Sequence, residues 1–153
     1  MNITQYLDQQ GVNYQACSHR PTFTAQQMAA EEHVSGMYVA KPVIVQADNQ
    51  YYMCVLPACC KVDLSQFAQQ IGAEDVRLAD EKEMAKLFPE CELGAEPPFG
   101  NLFGLTTIMD DSLAADEYLL FQAGQHDRAI RLDMDVYKKL VTPRILNFSY
   151  HLH

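Results

Sequence analysis

The sequence predicts an α+β fold: a single domain with a mixed, mainly antiparallel, barrel-like sheet core and flanking helices. Three observations carry this. The chain has 153 residues, a length for one domain whose core needs neither metal nor disulfide to hold it. Its 48% hydrophobic and 20% charged residues are the balance of a packed globule rather than of a disordered chain. Helical and strand-like periods succeed one another, with hairpins and without regular β-α alternation. The domain is expected to span residues 1–153.

The elements follow in order. Residues 3–10 read as a short helix, with Asn2 as N-cap, Ile3, Tyr6 and Leu7 as its apolar stripe and Gly11 as its stop. Residues 12–18 read as a strand. Thr24 through Gln27 fits a capping box for a helix that runs to about Glu32. Residues 37–47 and 51–57 are rich in Val, Ile and Tyr, and Asp48-Asn49-Gln50 between them reads as a hairpin turn. Asp63 caps a helix carrying Leu64, Phe67, Ala68 and Ile71 at helical spacing, ended by Gly72. Asp80 with Glu83 caps another, with Met84, Leu87 and Phe88 apolar and Pro89 as the stop. Gly94, Pro97, Pro98 and Gly100 suit no regular element, so residues 90–101 form a shaped loop. Strands are expected near 104–110, 117–122 and 128–132. Asp133 opens a last helix with Met134, Tyr137, Leu140 and Val141 inward, and Pro143 follows it.

The formal charge is −9, and it is unevenly spread. Residues 1–72 carry a net −2 and residues 120–153 a net +2, whereas residues 73–119 hold 3 bases against 12 acids. That pattern excludes a broad phosphate-gripping surface and so a DNA-binding protein. The acidic stretch reads as a solvated face, with a docking face as the alternative. No apolar run reaches the length of a membrane span, and Met1 through Gln5 lack the basic and apolar regions of a signal peptide. A cytoplasmic protein without membrane contact is expected. The five cysteines, at 17, 54, 59, 60 and 91, form no CxxC. They read as buried small residues, with Cys91 as the candidate reactive thiol, blunted by acidic neighbours.

Lys41 is the most informative residue. On a strand it shares a face with Val39, Val43, Val45 and Ala47. A charge on an apolar face is costly unless it is paired or sits in a cleft. The alternatives are a functional lysine or one that snorkels at a sheet edge, which Pro42 would favour. The loop Gly94-Ala95-Glu96-Pro97-Pro98-Phe99-Gly100 is stiffened by its prolines, while its glycines let backbone approach a ligand. It reads as substrate-orienting or as a structural crossover. His126, in Ala123-Gly124-Gln125-His126-Asp127, reads as an acid/base, a binding group or a surface turn residue. Asp110-Asp111 resembles a paired carboxylate, but adjacent strand residues point to opposite faces. His19, His33, His151 and His153 lack metal-ligand spacing, the last two lying at an end expected to fray. No Walker A, GxGxxG, GxSxG or HExxH is present.

Taken together and in this order, these segments resemble the YbaK/EbsC family, free-standing relatives of the editing domain of bacterial prolyl-tRNA synthetases. The carriers are Thr24-Ala25, Val39-Ala40-Lys41-Pro42-Val43, Asp63-Leu64, Gly94 through Gly100, Asp110-Asp111-Ser112-Leu113 and Ala123-Gly124-Gln125-His126. The resemblance covers about residues 1–148. It implies a trans-acting hydrolase of mischarged aminoacyl-tRNA, with tRNA-Pro carrying a wrong amino acid such as Ala or Cys as substrate. It implies no metal or nucleotide cofactor. The partners implied are the tRNA acceptor end and, weakly, prolyl-tRNA synthetase.

By the same resemblance, Lys41 would hold the terminal phosphate or adenosine. Gly94 of the Gly-x-x-x-Pro loop would place the aminoacyl group and the attacking water, with Pro98, Phe99, Gly100 and Gly124 around the substrate. Asp110 and His126 would fall at pocket positions, His126 with a catalytic role. The tRNA 2′-hydroxyl would assist, so no strong base is required. Met28, Val34, Met37, Tyr38 and Phe99 are the candidates for choosing the amino acid. Two other readings remain: a non-catalytic module that binds aminoacyl-tRNA ends or a synthetase, and a thiol protein using Cys59 or Cys91.

Overall fold

The computed structural model describes residues 2–22 and 24–151; His153 lies outside them. In order, the elements are α1 (Ile3–Gln9), β1 (Gln15–Ser18), α2 (Ala25–Glu31), β2 (Ala40–Ala47), β3 (Gln50–Pro57), β4 (Cys60–Val62), α3 (Leu64–Ile71), β5 (Val76–Leu78), α4 (Glu81–Leu87), β6 (Thr106–Asp110), α5 (Asp111–Ala114), β7 (Tyr118–Gln122), β8 (Arg128–Asp133), α6 (Met134–Val141), β9 (Arg144–Leu146) and β10 (Ser149–His151). Short 3-10 turns occupy Gly36–Tyr38 and Gly100–Leu102.

Local chemistry explains most helix ends. The side chains of Asn2, Thr24, Asp63 and Asp80 each accept from the amide three residues on, and Asn2–Gln5 and Asp80–Glu83 complete reciprocal capping boxes. Gly72 ends α3 at a φ of 73°, a conformation glycine adopts without a Cβ penalty.

The fold is α+β with mixed sheets, as expected, but the sheet is not closed into a barrel. The strands divide among a five-stranded sheet of order β5-β2-β3-β6-β9, a three-stranded sheet β1-β8-β7 and a pair β10-β4. The β2–β3 hairpin is antiparallel, turning at Asp48-Asn49, whereas β3–β6 and β6–β9 are parallel.

Both faces of the large sheet are covered. Ala40, Ile44, Met53, Val55 and Met109 face one cluster, with Leu119, Phe121, Ile130 and Tyr137. Val45, Ala47, Cys54, Leu56 and Ile108 face another, with Phe67 and Phe148. The alternation along β2, β3 and β6 is the period-two rule of strands, here with both sides buried. A third cluster joins Met28, Ala29, Val39, Ala58, Leu120 and Ala129.

Three local expectations change. Asp110 and Asp111 are not two residues of one strand: Asp110 ends β6 and caps α5, which Asp111 opens. His151 does not fray, because β10 pairs it with Cys60. Residues 36–38 form a 3-10 turn rather than the start of a strand.

Candidate active site

β2 is longer than the edge strand that covers it. β5 pairs only with Val45, Gln46 and Ala47, so residues 40–43 run on along an open edge. Pro42 lies there, where a missing N–H costs nothing. A cleft of about 540 Å³ follows this edge, bounded by the start of α2, the β3–β4 turn, α4 and the loop before Pro97.

Lys41 lines it. Its side chain is half-buried, and Nζ donates to the Ala58 carbonyl at 3.3 Å. Burial lowers the lysine pKa below its ordinary value; the nearby Cys60 and Cys59 thiols act the other way and Lys61 acts with burial. Lys61 of β4 lines the same cleft and is exposed. Leu78 and Leu93, half-exposed at 51% and 50%, give it an apolar lining.

The opposite wall is the proline-rich loop. Gly94 has a φ of 87°, and its amide donates to a Glu96 carboxylate oxygen at 3.1 Å. Both residues line the cleft. Glu96 is 3% exposed, and burial raises its pKa above the usual carboxylate range, against the lowering effect of its own amide, the Gly94 amide and His126.

The loop is pinned from behind. The Gly124 amide donates to Ala95 O at 2.8 Å, and Glu92 N donates to Gly124 O at 2.9 Å. The Tyr137 hydroxyl donates to the Pro98 carbonyl. Phe99 is wholly buried, edge-on to Tyr6, Phe121 and Tyr137. Gly100 donates to Thr107 Oγ1 at 3.0 Å.

The structure thus brings Lys41 and Gly94 to one cleft, and none of the other expected site residues lines it. His126 is 8% exposed; its Nε2 lies 2.8 Å from the Leu93 carbonyl and 3.9 Å from Glu92. It touches the base of the loop rather than lining the cleft. Asp110 is 1% exposed, and its carboxylate accepts from the amides of Ser112, Phe148 and Ser149. Pro98, Phe99, Gly100 and Gly124 form the support behind the loop. Met28 is buried in the third cluster, Tyr38 stacks on Tyr118 at 4.7 Å and Met37 contacts Cys59. None of these three lines the cleft; Gln26, Met84 and Gln122 do.

Sequence reasoning did not single out Lys61 or Glu96. Glu96 had a signal: a carboxylate set between Ala95 and Pro97 in a stiff apolar segment is placed for burial. Burial also raises the Cys91 thiol to about 11, helped by Glu96 and Glu90, away from reactivity. Among the described residues, no group of three or more His, Cys, Asp or Glu is placed to hold a metal ion, and no helix is long and apolar enough to cross a membrane.

Lys41 and the Gly94 loop thus line one cleft beside the uncovered stretch of β2 in an α+β fold. The chain belongs to the family described as the aminoacyl-tRNA editing domain, whose model matches residues 19–140. It is 28% identical over 148 residues to the Multifunctional Ser/Thr-tRNA deacylase ProXp-y of Escherichia coli (strain K12), covering 93% of this chain and 87% of that protein. It is 23% identical over 141 residues to the Prolyl-tRNA editing protein ProX of Acetoanaerobium sticklandii, covering 88% and 85%. A crystal structure described as a candidate trans-editing enzyme for prolyl-tRNA synthetase superposes with a TM-score of 0.85 at 17% identity, covering 97% of this chain and 94% of that one. This last likeness establishes the fold.

Proposed function

We propose that this chain is a trans-editing deacylase: it hydrolyses the ester joining a wrong amino acid to the 3′-terminal adenosine of a tRNA. The observation that carries the reading is the shared cleft of Lys41 and Gly94, in a chain of the aminoacyl-tRNA editing family. Lys41 supplies a cation for the terminal phosphate. The Gly94 loop, held by Gly124, Tyr137 and His126, positions the aminoacyl group and the water. Water adds to the carbonyl carbon, the bond to the ribose oxygen breaks, and that oxygen leaves with a proton, assisted by the neighbouring 2′-hydroxyl.

An activated ester needs little beyond placement and a donor for the developing oxyanion, which is worth about 2.7–4 kcal/mol. That is why an acyl-transfer triad is unnecessary. Leu78 and Leu93 offer apolar surface to the terminal base.

The substrate proposed first is tRNA-Pro carrying alanine or cysteine. The relative named a Ser/Thr-tRNA deacylase adds serine and threonine as candidates, since one methylene or hydroxyl changes selectivity by only ~1–3 kcal/mol in an apolar pocket. The site of action proposed is the cytoplasm, with at most weak association with prolyl-tRNA synthetase. The test is a panel of tRNAs mischarged with these four amino acids, incubated with purified protein. Hydrolysis of at least one above the spontaneous rate is expected. Tight binding of a non-hydrolysable aminoacyl-adenosine analogue without any turnover would establish a binding module instead.

A further inference from the structure

Glu96 has no part in the chemistry described so far, yet it is placed in the wall of the cleft. The residue as a whole is only 3% exposed. One carboxylate oxygen is held by the Gly94 amide at 3.1 Å, which fixes the group in the loop. Among the described residues, no lysine or arginine forms an ion pair with it. His126 is near enough to favour its charge, but that ring is bonded through Nε2 to the Leu93 carbonyl at 2.8 Å. A buried carboxylate is costly to keep unless a cation completes it.

The expected substrate has complementary charges. Its phosphate is anionic and its esterified amino acid carries a protonated α-amino group. The cleft offers Lys41 and Lys61 from β2 and β4, and Glu96 from the facing loop. We infer that Glu96 is the subsite for the α-ammonium group of the aminoacyl ester, so that the enzyme selects a free α-amino group over an acylated one. The inference rests on the deacylase reading above and adds a specificity determinant to it. A free α-ammonium completes the buried pair. An acylated nitrogen brings no charge and leaves the carboxylate desolvated without compensation, so peptidyl-tRNA would be spared.

The experiment compares wild type with Glu96→Gln and Glu96→Asp. Glutamine keeps the shape and can still accept from the Gly94 amide, but it has no charge. The readout is the ratio of kcat/KM for the best aminoacyl-tRNA of the panel to that for its N-acetylated form. The wild-type ratio is expected to exceed the Glu96→Gln ratio at least tenfold, with Glu96→Asp closer to wild type. A purely structural role would lower both rates and leave the ratio unchanged, which would overturn the inference. A second arm uses no turnover: calorimetric binding of 3′-alanylamino-3′-deoxyadenosine and its N-acetyl derivative to wild-type protein. At least tenfold tighter binding of the free amine supports the assignment, and equal binding refutes it. Failure of the deacylase reading is distinct: the wild type would hydrolyse nothing in the panel, while the binding arm would still test Glu96.

Discussion

The Lys41 ammonium donates to the carbonyl oxygen of Ala58 at 3.3 Å, so the turn between β3 and β4 holds the cation of the cleft in place. A carbonyl dipole orients the lysine without neutralising it. The charge therefore remains available to an incoming phosphate.

Burial lowers the Lys41 pKa, which has a sign consequence for binding. The charged form is needed, and it is lost as pH rises through a pKa below that of an ordinary lysine. Affinity for adenosine 5′-monophosphate, which has the terminal phosphate but no amine to titrate, should fall on the alkaline side below pH ~10.4, the free-lysine value. In Lys41→Arg this limb should disappear, because guanidinium stays charged. Calorimetric titration across pH reads both.

Contact limited to the acceptor tip involves on the order of one to three phosphates. The slope of log kcat/KM against log salt should therefore lie between about −0.7 and −2 for a single-stranded end. A steeper slope would mean a larger footprint than the cleft provides.

Gly100→Ala should destabilise the protein by about 1–3 kcal/mol, the usual range for forced overpacking. A Cβ there would meet Thr107 Oγ1 at 2.3 Å and the Leu105 carbonyl at 2.7 Å. At Gly124 the space is open but φ is 89°, so Gly124→Ala costs backbone strain of ~1–2 kcal/mol instead. Urea denaturation measures both.

Tyr137→Phe removes the hydroxyl that donates to the Pro98 carbonyl. Leaving that buried acceptor unpaired should cost ~1–3 kcal/mol. Because the bond holds the loop rather than touching substrate, KM and kcat should both worsen while the Lys41 alkaline limb of binding stays where it is.

Much of this was legible in the sequence because it is local. Caps at Asn2, Thr24, Asp63 and Asp80 declare themselves through side-chain oxygen three residues from its amide. The β2–β3 hairpin declares itself through alternation and a turn. The short strands β4, β5, β9 and β10 were not legible: three residues each carry no period, and only pairing with distant partners makes them strands. The double coverage of the large sheet also depends on what packs against it, so the apolar face beside Lys41 was visible and its equally buried reverse was not. At the site, Lys41 and the loop stood out by residue type. Glu96 did not, because its importance comes from burial against the Gly94 amide, a relation that exists only once the loop is folded.

Lys41 is proposed to serve ester hydrolysis at a tRNA 3′ end. The most direct test is the single-turnover rate of wild type and Lys41→Ala on the mischarged tRNA that the wild type hydrolyses best, with a thermal melt confirming that both are folded. Loss of one charge-assisted contact to phosphate is worth about 1.5–3 kcal/mol, so kcat/KM should fall by roughly 10- to 150-fold. A folded Lys41→Ala protein with the wild-type rate would show that Lys41 has no part in the hydrolysis.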